Sequence, residues 1–397
     1  MISAERIPIT VLCGFLGSGK TTLLRRWRSD ETLRDAAFII HDLSEFGVDA
    51  ELLSDDHSKP EPGRLVGRMA ALHGIHASER LHASVGRTLR EIATLDPAPT
   101  QVLCESTGAA RPWPLIAALT QDDRFLLRHF IVTVDALNLH RDFADGRVLT
   151  SEANAPTDPA VQQAAEVLAE QLMFASVVIL TKIDTVPRSV VDAQVRLLKT
   201  LQPQATVGLS AHAGLRLPQL DPTPAPELAD LKRRANETGL PLNRTTAEAV
   251  EAVVLRDPRP FHPQRLHDIC QRHLPTGLYR TKGFLWLASR PADVLLWQQS
   301  GSQIMLELTG FWYAEAVHNH AGKLLPGEVE RLKSRLEATH PIFGDRHCEL
   351  TLIGLPDACT AFADALRSAL CTPAEVAAWQ TGEAFADPWP QRLRALR

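Results

Sequence analysis

Apolar positions in the first half of the chain fall into short runs separated by stretches of helical composition. They stand at Ile9 to Cys13, Ala36 to Ile40, Val102 to Cys104, Phe130 to Val134, Val177 to Leu180 and Ala205 to Leu209. Short, nearly continuous apolar runs suit strands buried on both faces, with the intervening helices as crossovers. The pattern predicts an α/β fold with a mostly parallel sheet and helices on both faces. Past Pro218 it breaks into Asp221-Pro222-Thr223-Pro224-Ala225-Pro226 and a polar, charged stretch ending near Arg244, which reads as a linker. Strands are predicted again at Ala249 to Leu255, Gly283 to Ala288, Val294 to Gln298 and His347 to Gly354, and helices at Gln264 to His273 and Thr360 to Leu370. Successive strands without intervening helices predict an antiparallel sheet, hence a smaller α+β C-terminal domain. The expected organisation is an α/β domain over 1–220, a linker over 221–245 and the α+β domain over 246–397.

The first apolar run feeds Gly14-Phe15-Leu16-Gly17-Ser18-Gly19-Lys20-Thr21-Thr22, which contains a complete G-x-x-x-x-G-K-[ST] phosphate-binding loop. A strand before it and a helix opening at Leu23 are the context that P-loop NTPases require, because backbone N–H groups at that helix start converge on an anion. Gly14, Gly17, Ser18, Gly19, Lys20, Thr21 and Thr22 are the candidate phosphate-cradle residues. Lys20 is expected to reach the β- and γ-phosphates, and Thr21 to offer its hydroxyl to Mg²⁺.

At 397 residues, with 45% hydrophobic and 22% charged residues, the chain suits two globular domains. A formal net charge of -5 leaves no overall basic footprint, so nucleic acid is not indicated as a main partner. No apolar run approaches the roughly 20 residues that span a bilayer. With no basic and apolar leader ahead of the phosphate loop, a cytoplasmic location is expected. Cys13, Cys104, Cys270, Cys348, Cys359 and Cys371 form no C-x-x-C pair and are expected mostly as small buried hydrophobes.

Two further segments select the ligand. Glu105-Ser106-Thr107-Gly108 ends the run Val102 to Cys104, where Glu105 is a candidate to hold Mg²⁺ through water and Gly108 to sense the γ-phosphate. A helix cap after a strand is the plainer alternative. Thr181-Lys182-Ile183-Asp184 follows the run Val177 to Leu180. Its Asp184 carboxylate can accept both the N1 and N2 protons of guanine while the Lys182 stem covers the ring. Adenine lacks that pair of donors, so GTP is the expected nucleotide. Ser210-Ala211 is a further candidate base-contacting loop. Lys20, Thr21 and Glu105 are the candidate catalytic residues.

The succession Gly14 to Thr22, Glu105 to Gly108 and Thr181 to Asp184 resembles the CobW-type GTPases. Arg259-Pro260-Phe261-His262-Pro263, Lys282-Gly283-Phe284-Leu285-Trp286-Leu287-Ala288 and Gly344-Asp345-Arg346 are similar to segments of that family's C-terminal domain. The resemblance implies slow GTP hydrolysis coupled to delivery of a metal such as zinc or cobalt to a client protein. The family carries G-C-x-C-C between its second and third strands, whose thiolates suit a transition metal. Here the corresponding stretch, Leu72 to His82, holds no cysteine. His73 and His76, with Glu79 or His82, are candidate substitute ligands for Zn²⁺, and a solvated polar loop is the alternative. Thr181 stands where GTPases more often have Asn, and His41 begins a segment where the family tends to have Asn. Asp42, Glu45 and Asp49 are candidates for a γ-phosphate-responsive switch. His318-Asn319-His320, with His340 and His347, forms a second histidine-rich region that reads as a surface loop.

Without an assignable arginine finger or water-orienting glutamine, slow intrinsic turnover is expected. A metal-independent, GTP-gated regulator acting through its second domain is the competing reading. A small-molecule kinase is a third, with no acceptor site to support it.

Overall fold

Ile9, Val11, Leu12 and Cys13 are fully buried in β1 (Ile7–Gly14), a central strand of an eight-stranded sheet. The structure is a computed structural model and describes residues 6–42, 65–66, 68–73, 78–109, 111–150, 159–217, 225–237, 251–272, 274–275, 277–300, 303–315, 330, 334, 336, 339–390 and 394–395. The chain divides into two compact units, Met1–Glu248 and Ala249–Arg397.

In the first unit α1 (Lys20–Arg28) follows β1, and then come β2 (Ala37–Asp42), β3 (Leu65–Val66), β4 (Met69–His73), α2 (Ser78–Ile92), β5 (Val102–Glu105), α3 (Pro112–Leu119) and β6 (Phe125–Asp135). After these come α4 (Ala136–Arg141), α5 (Pro159–Phe174), β7 (Val177–Thr181), α6 (Arg188–Leu201), β8 (Thr206–Ser210) and α7 (Leu228–Glu237). The sheet order is β3-β4-β2-β5-β1-β6-β7-β8. Its neighbouring pairs are parallel except the β3–β4 hairpin. This is the doubly wound arrangement of a P-loop NTPase. With β5 on one side of β1 and β6 on the other, the strand order reverses at β1, and ligands of such sheets bind outside the carboxyl ends at that reversal.

Trp27, Leu23 and Leu24 of α1 are buried against Leu12, Phe38 and Leu103 from the sheet. The indole of Trp27 also donates to Leu215 O at 2.8 Å, joining α1 to the segment after β8. Truncating such a buried Trp costs about 3 to 5 kcal/mol.

The expected strands are present, most of them longer than the apolar runs that marked them. The stretch from Leu72 to His82 is less of a loop than expected: Leu72 and His73 belong to β4, and Ser78 to His82 open α2. Residues 74–77, including His76, lie outside the described residues, as do Glu45, Asp49 and His318 to His320. Within the stretch read as a linker, Leu228–Glu237 is a helix whose Leu231 is buried.

The second unit comprises β9 (Glu251–Asp257), α8 (Pro263–Arg272), β10 (Leu278–Leu287), β11 (Arg290–Ser300), β12 (Gln303–Phe311), β13 (Cys348–Gly354), α9 (Pro356–Ala369), α10 (Pro373–Gln380) and β14 (Arg394–Ala395). Its sheet order is β14-β12-β11-β10-β13-β9, antiparallel except where β14 joins β12. Leu255, Leu285, Trp297 and Leu350 from the strands and Phe362 and Leu366 from α9 share one core. The segments singled out by resemblance, around Phe261 and from Leu285 to Ala288, contribute to that core. The Arg346 guanidinium lies 5.6 Å from the Trp286 ring and 5.8 Å from that of Trp379, and donates to Pro291 O and Glu315. Asp345 accepts from the N–H groups of Tyr313 and Ala314, and His262 N–H bonds Ala369 O. Five cysteines are buried and Cys270 is partly so.

Candidate nucleotide site

The phosphate loop leaves the carboxyl end of β1 through glycines that geometry demands. Gly14 has φ 138°, and a Cβ there would lie 2.3 Å from both Thr133 O and Thr133 Oγ1. Gly17 and Gly19 have φ 76° and 91°, the left-handed region that favours glycine. Gly19 caps α1, whose first helical bond runs from Leu23 N–H to Gly19 O. The N–H groups of Lys20, Thr21 and Thr22 therefore precede the helical ladder, and with the helix dipole they favour an anion.

The loop rests on hydroxyls from two other strands. Ser18 Oγ lies 2.6 Å from Thr133 Oγ1 on β6, and Thr133 donates to Cys13 O at 3.2 Å. The Thr181 hydroxyl at the end of β7 lies 2.8 Å from Ser18 O and 3.1 Å from Val134 O. Threonine at this position thus serves as a buried brace between β6, β7 and the phosphate loop. Lys20 is 4% exposed, and its ammonium donates to Gly14 O at 2.7 Å and Phe15 O at 3.1 Å. Thr21 donates to Glu105 Oε1 at 2.8 Å. A hydroxyl and a carboxylate oxygen this close, on a loop that cradles anions, form the hard oxygen donor set that suits Mg²⁺. Thr22 faces solvent on the first turn of α1.

Gly108 closes the cradle from β5. A Cβ on it would lie 2.6 Å from Leu16 N and 2.8 Å from Leu16 Cα, so the segment after Glu105 lies against the phosphate loop because it carries no side chain there.

Asp184 follows β7 on a short helical turn, and its carboxylate is about a third exposed. Lys182 adopts φ 53°, and its ammonium lies 2.5 Å from Asp135 Oδ2. Asp135 also caps α4 by accepting from Leu137 N–H and Asn138 N–H. The tether holds the Lys182 stem beside the turn that carries Asp184. His212 Nε2 approaches Asp184 Oδ2 to 3.6 Å from the loop after β8, and Ser210 is buried at the start of that loop. Thr133, Asp135 and His212 were not singled out from sequence. No local pattern marks them, since their placement depends on strand register across the sheet.

The description "CobW/HypB/UreG, nucleotide-binding domain" matches residues 8–208, and "Cobalamin synthesis protein cobW C-terminal domain" matches residues 250–370. The chain belongs to the CobW family. CobW relatives include a zinc-regulated GTPase metalloprotein activator of Dictyostelium discoideum, 25% identical over 88% of this chain and 76% of that protein. A zinc chaperone of Mycobacterium tuberculosis is 32% identical over 57% of this chain and 54% of that protein, so that match spans about half of the relative. The zinc-bound YjiA GTPase from E. coli is 19% identical over 91% of this chain and 99% of that chain, with a TM-score of 0.36. As a CobW-family P-loop GTPase, the chain binds GTP.

The family's cysteine motif has no counterpart here, since no cysteine stands between Cys13 and Cys104. His82 does not suit the ligand role considered for it. Its Nε2 lies 3.1 Å from Pro114 O and its Nδ1 3.1 Å from Gln121 Nε2, so both ring nitrogens are engaged within the fold. The backbone sets His73 beside Asp42 in the β2–β4 register, at the carboxyl edge of the sheet. Among the described residues no group of three or more His, Cys, Asp or Glu is placed to hold a metal ion. Among them, too, no helix is long and apolar enough to cross a membrane.

Proposed function

We propose that this protein hydrolyses GTP slowly and uses its nucleotide state to time delivery of a zinc ion to a client protein. The Thr21–Glu105 contact carries the reading most directly. It joins the phosphate loop to β5 at the point where a metal-bound γ-phosphate would be sensed. Thr21 and Glu105 are the residues that would hold Mg²⁺, which would supply positive charge to offset that of the phosphates. Lys20 and the N–H groups at the start of α1 neutralise charge on the phosphates, and Gly108 offers its N–H to the γ-phosphate. Asp184 accepts the guanine N1 and N2 protons, while Thr181 keeps Ser18 in position. In the reaction a water oxygen bonds the γ-phosphorus as the β–γ bridging P–O bond breaks. GDP keeps the bridging oxygen, and of the water's two protons one stays on inorganic phosphate and the other passes to solvent. Positioning and charge stabilisation supply the catalysis, which accounts for slow turnover.

The zinc assignment draws on the names of the relatives and on the imidazoles of His73 and His76, which suit Zn²⁺. A second reading has its own support in the missing cysteines: a GTP-gated regulator that binds no transition metal. Zinc titration of the purified protein, with and without GTP and Mg²⁺, separates the two when run beside a His73→Ala/His76→Ala variant. Stoichiometric binding that alters hydrolysis and is lost in the variant supports delivery. Absence of binding leaves the regulator.

A further inference from the structure

Glu105, Gly108 and Arg111 are anchored from two sides. One anchor is the Glu105–Thr21 contact, and the other is α5, which plays no part in the cradle described above. Gln171 of α5 is fully buried and donates from Nε2 to Gly108 O at 3.1 Å. Its neighbour Glu170 pairs through Oε2 with Nη1 of Arg111, the residue that precedes α3. These side chains are only 5% and 14% exposed. Burial pushes the Glu170 carboxyl up, and the Arg111 guanidinium opposes that shift. The pair is stiff because parting it would strand a charge away from water.

Gly108 is thus held between Leu16 on one side and Gln171 on another. The peptide that follows it is planar, so directing its C=O at α5 turns the Ala109 N–H the opposite way. Held at its Cα by Leu16 and at its carboxyl-side peptide by Gln171, Gly108 keeps little freedom in the torsions that aim its own N–H.

We infer that Arg111, Glu170 and Gln171 are positioning residues for GTP hydrolysis. They fix the peptide on the carboxyl side of Gly108 and so restrain the torsions that aim its N–H, and the rate of γ-phosphate cleavage depends on that hold while GDP binding does not. The inference rests on the GTP hydrolysis proposed above and adds the device that orients its γ-phosphate contact.

The test compares the full-length wild type with Gln171→Leu, Glu170→Gln and the double variant Arg111→Met/Glu170→Met. GDP affinity is measured by fluorescence titration, GTP cleavage under single-turnover conditions, and folding by thermal melting. The double variant replaces the buried pair by apolar side chains of similar volume, an exchange that folds commonly tolerate, so it guards against simple unfolding. The expected result is a single-turnover rate lower by about 10- to 100-fold, the scale of a small misplacement at a reacting centre. GDP affinity is expected to stay within about twofold, less than 0.5 kcal/mol. Wild-type rates in folded variants would overturn the inference and leave the function standing, as would GDP affinity falling in step with the rate. A wild type that neither binds nor cleaves GTP would overturn both.

Discussion

Replacing Thr181 by Val keeps its shape and removes the hydroxyl that lies 2.8 Å from Ser18 O and 3.1 Å from Val134 O. The residue is 6% exposed, so water cannot readily take the place of the lost donor. A typical hydrogen bond contributes a net 0.5 to 1.5 kcal/mol, roughly, and a buried carbonyl left without its donor costs about 1 to 3 kcal/mol. Thr181→Val is therefore expected to lower unfolding free energy by about 1 to 3 kcal/mol in urea titration. The same loss frees the Ser18 peptide within the phosphate loop. GDP and GTP should weaken together by about 2- to 10-fold, the equivalent of one net hydrogen bond. Thr181→Ser keeps the donor and should stay near wild type in both assays. Reduced stability with unchanged nucleotide affinity would refute the reasoning, because Thr181 would then brace the sheet alone. A loss confined to GTP would refute it as well, since the brace lies beneath the loop shared by both nucleotides.

Asp184→Asn exchanges one acceptor oxygen for an NH₂ donor, which opposes a guanine N–H. GTP affinity should fall by about 100-fold, as for other sites left with a mismatched polar group, and xanthosine triphosphate, with a C2 carbonyl, should gain relative to it. Competition titration with both nucleotides checks this. In the second unit, bonds from Arg265 and then from the Thr372 backbone and hydroxyl hold Glu375 down to about 2, against an ordinary 4.5. A depressed carboxyl contributes stability above the unfolded value and loses it as pH falls through the folded one. Glu375→Gln should therefore destabilise this unit at pH 7, and the gap to wild type should shrink as pH falls from 4.5 toward 2. Equal gaps at pH 7 and pH 3 in urea unfolding would contradict it.

Elements that announce themselves locally were readable from sequence. The phosphate loop is contiguous, and β5 and β7 are nearly uninterrupted apolar runs ended by chemistry-bearing residues. Other elements were hidden for identifiable reasons. In β12, Met305 is apolar yet 42% exposed, and Glu307 is polar yet 5% exposed, which blurs the alternation of a half-buried strand. Residues 228–237 looked like linker because they are mostly polar, yet Leu231 anchors a helix in which Arg234 pairs with Asp230. Thr133 and Gln171 were beyond reach, since a hydroxyl or amide inside an apolar strand or helix gains meaning only from what lies across from it. The RPFHP and GDR segments were readable as resemblance, but the Arg346 cage of two indoles could not be inferred from their letters.

The two threonine hydroxyls beneath the phosphate loop have a consequence for signalling. The braces from β6 and β7 lie beneath the part of the loop that both nucleotides share, so on the proposed function GDP and GTP would find the same seat. What distinguishes them would then leave by the opposite flank, along Glu105 to Gly108. On the proposed function the chain would divide its labour across β1, with retention of nucleotide on one side and report of the γ-phosphate on the other.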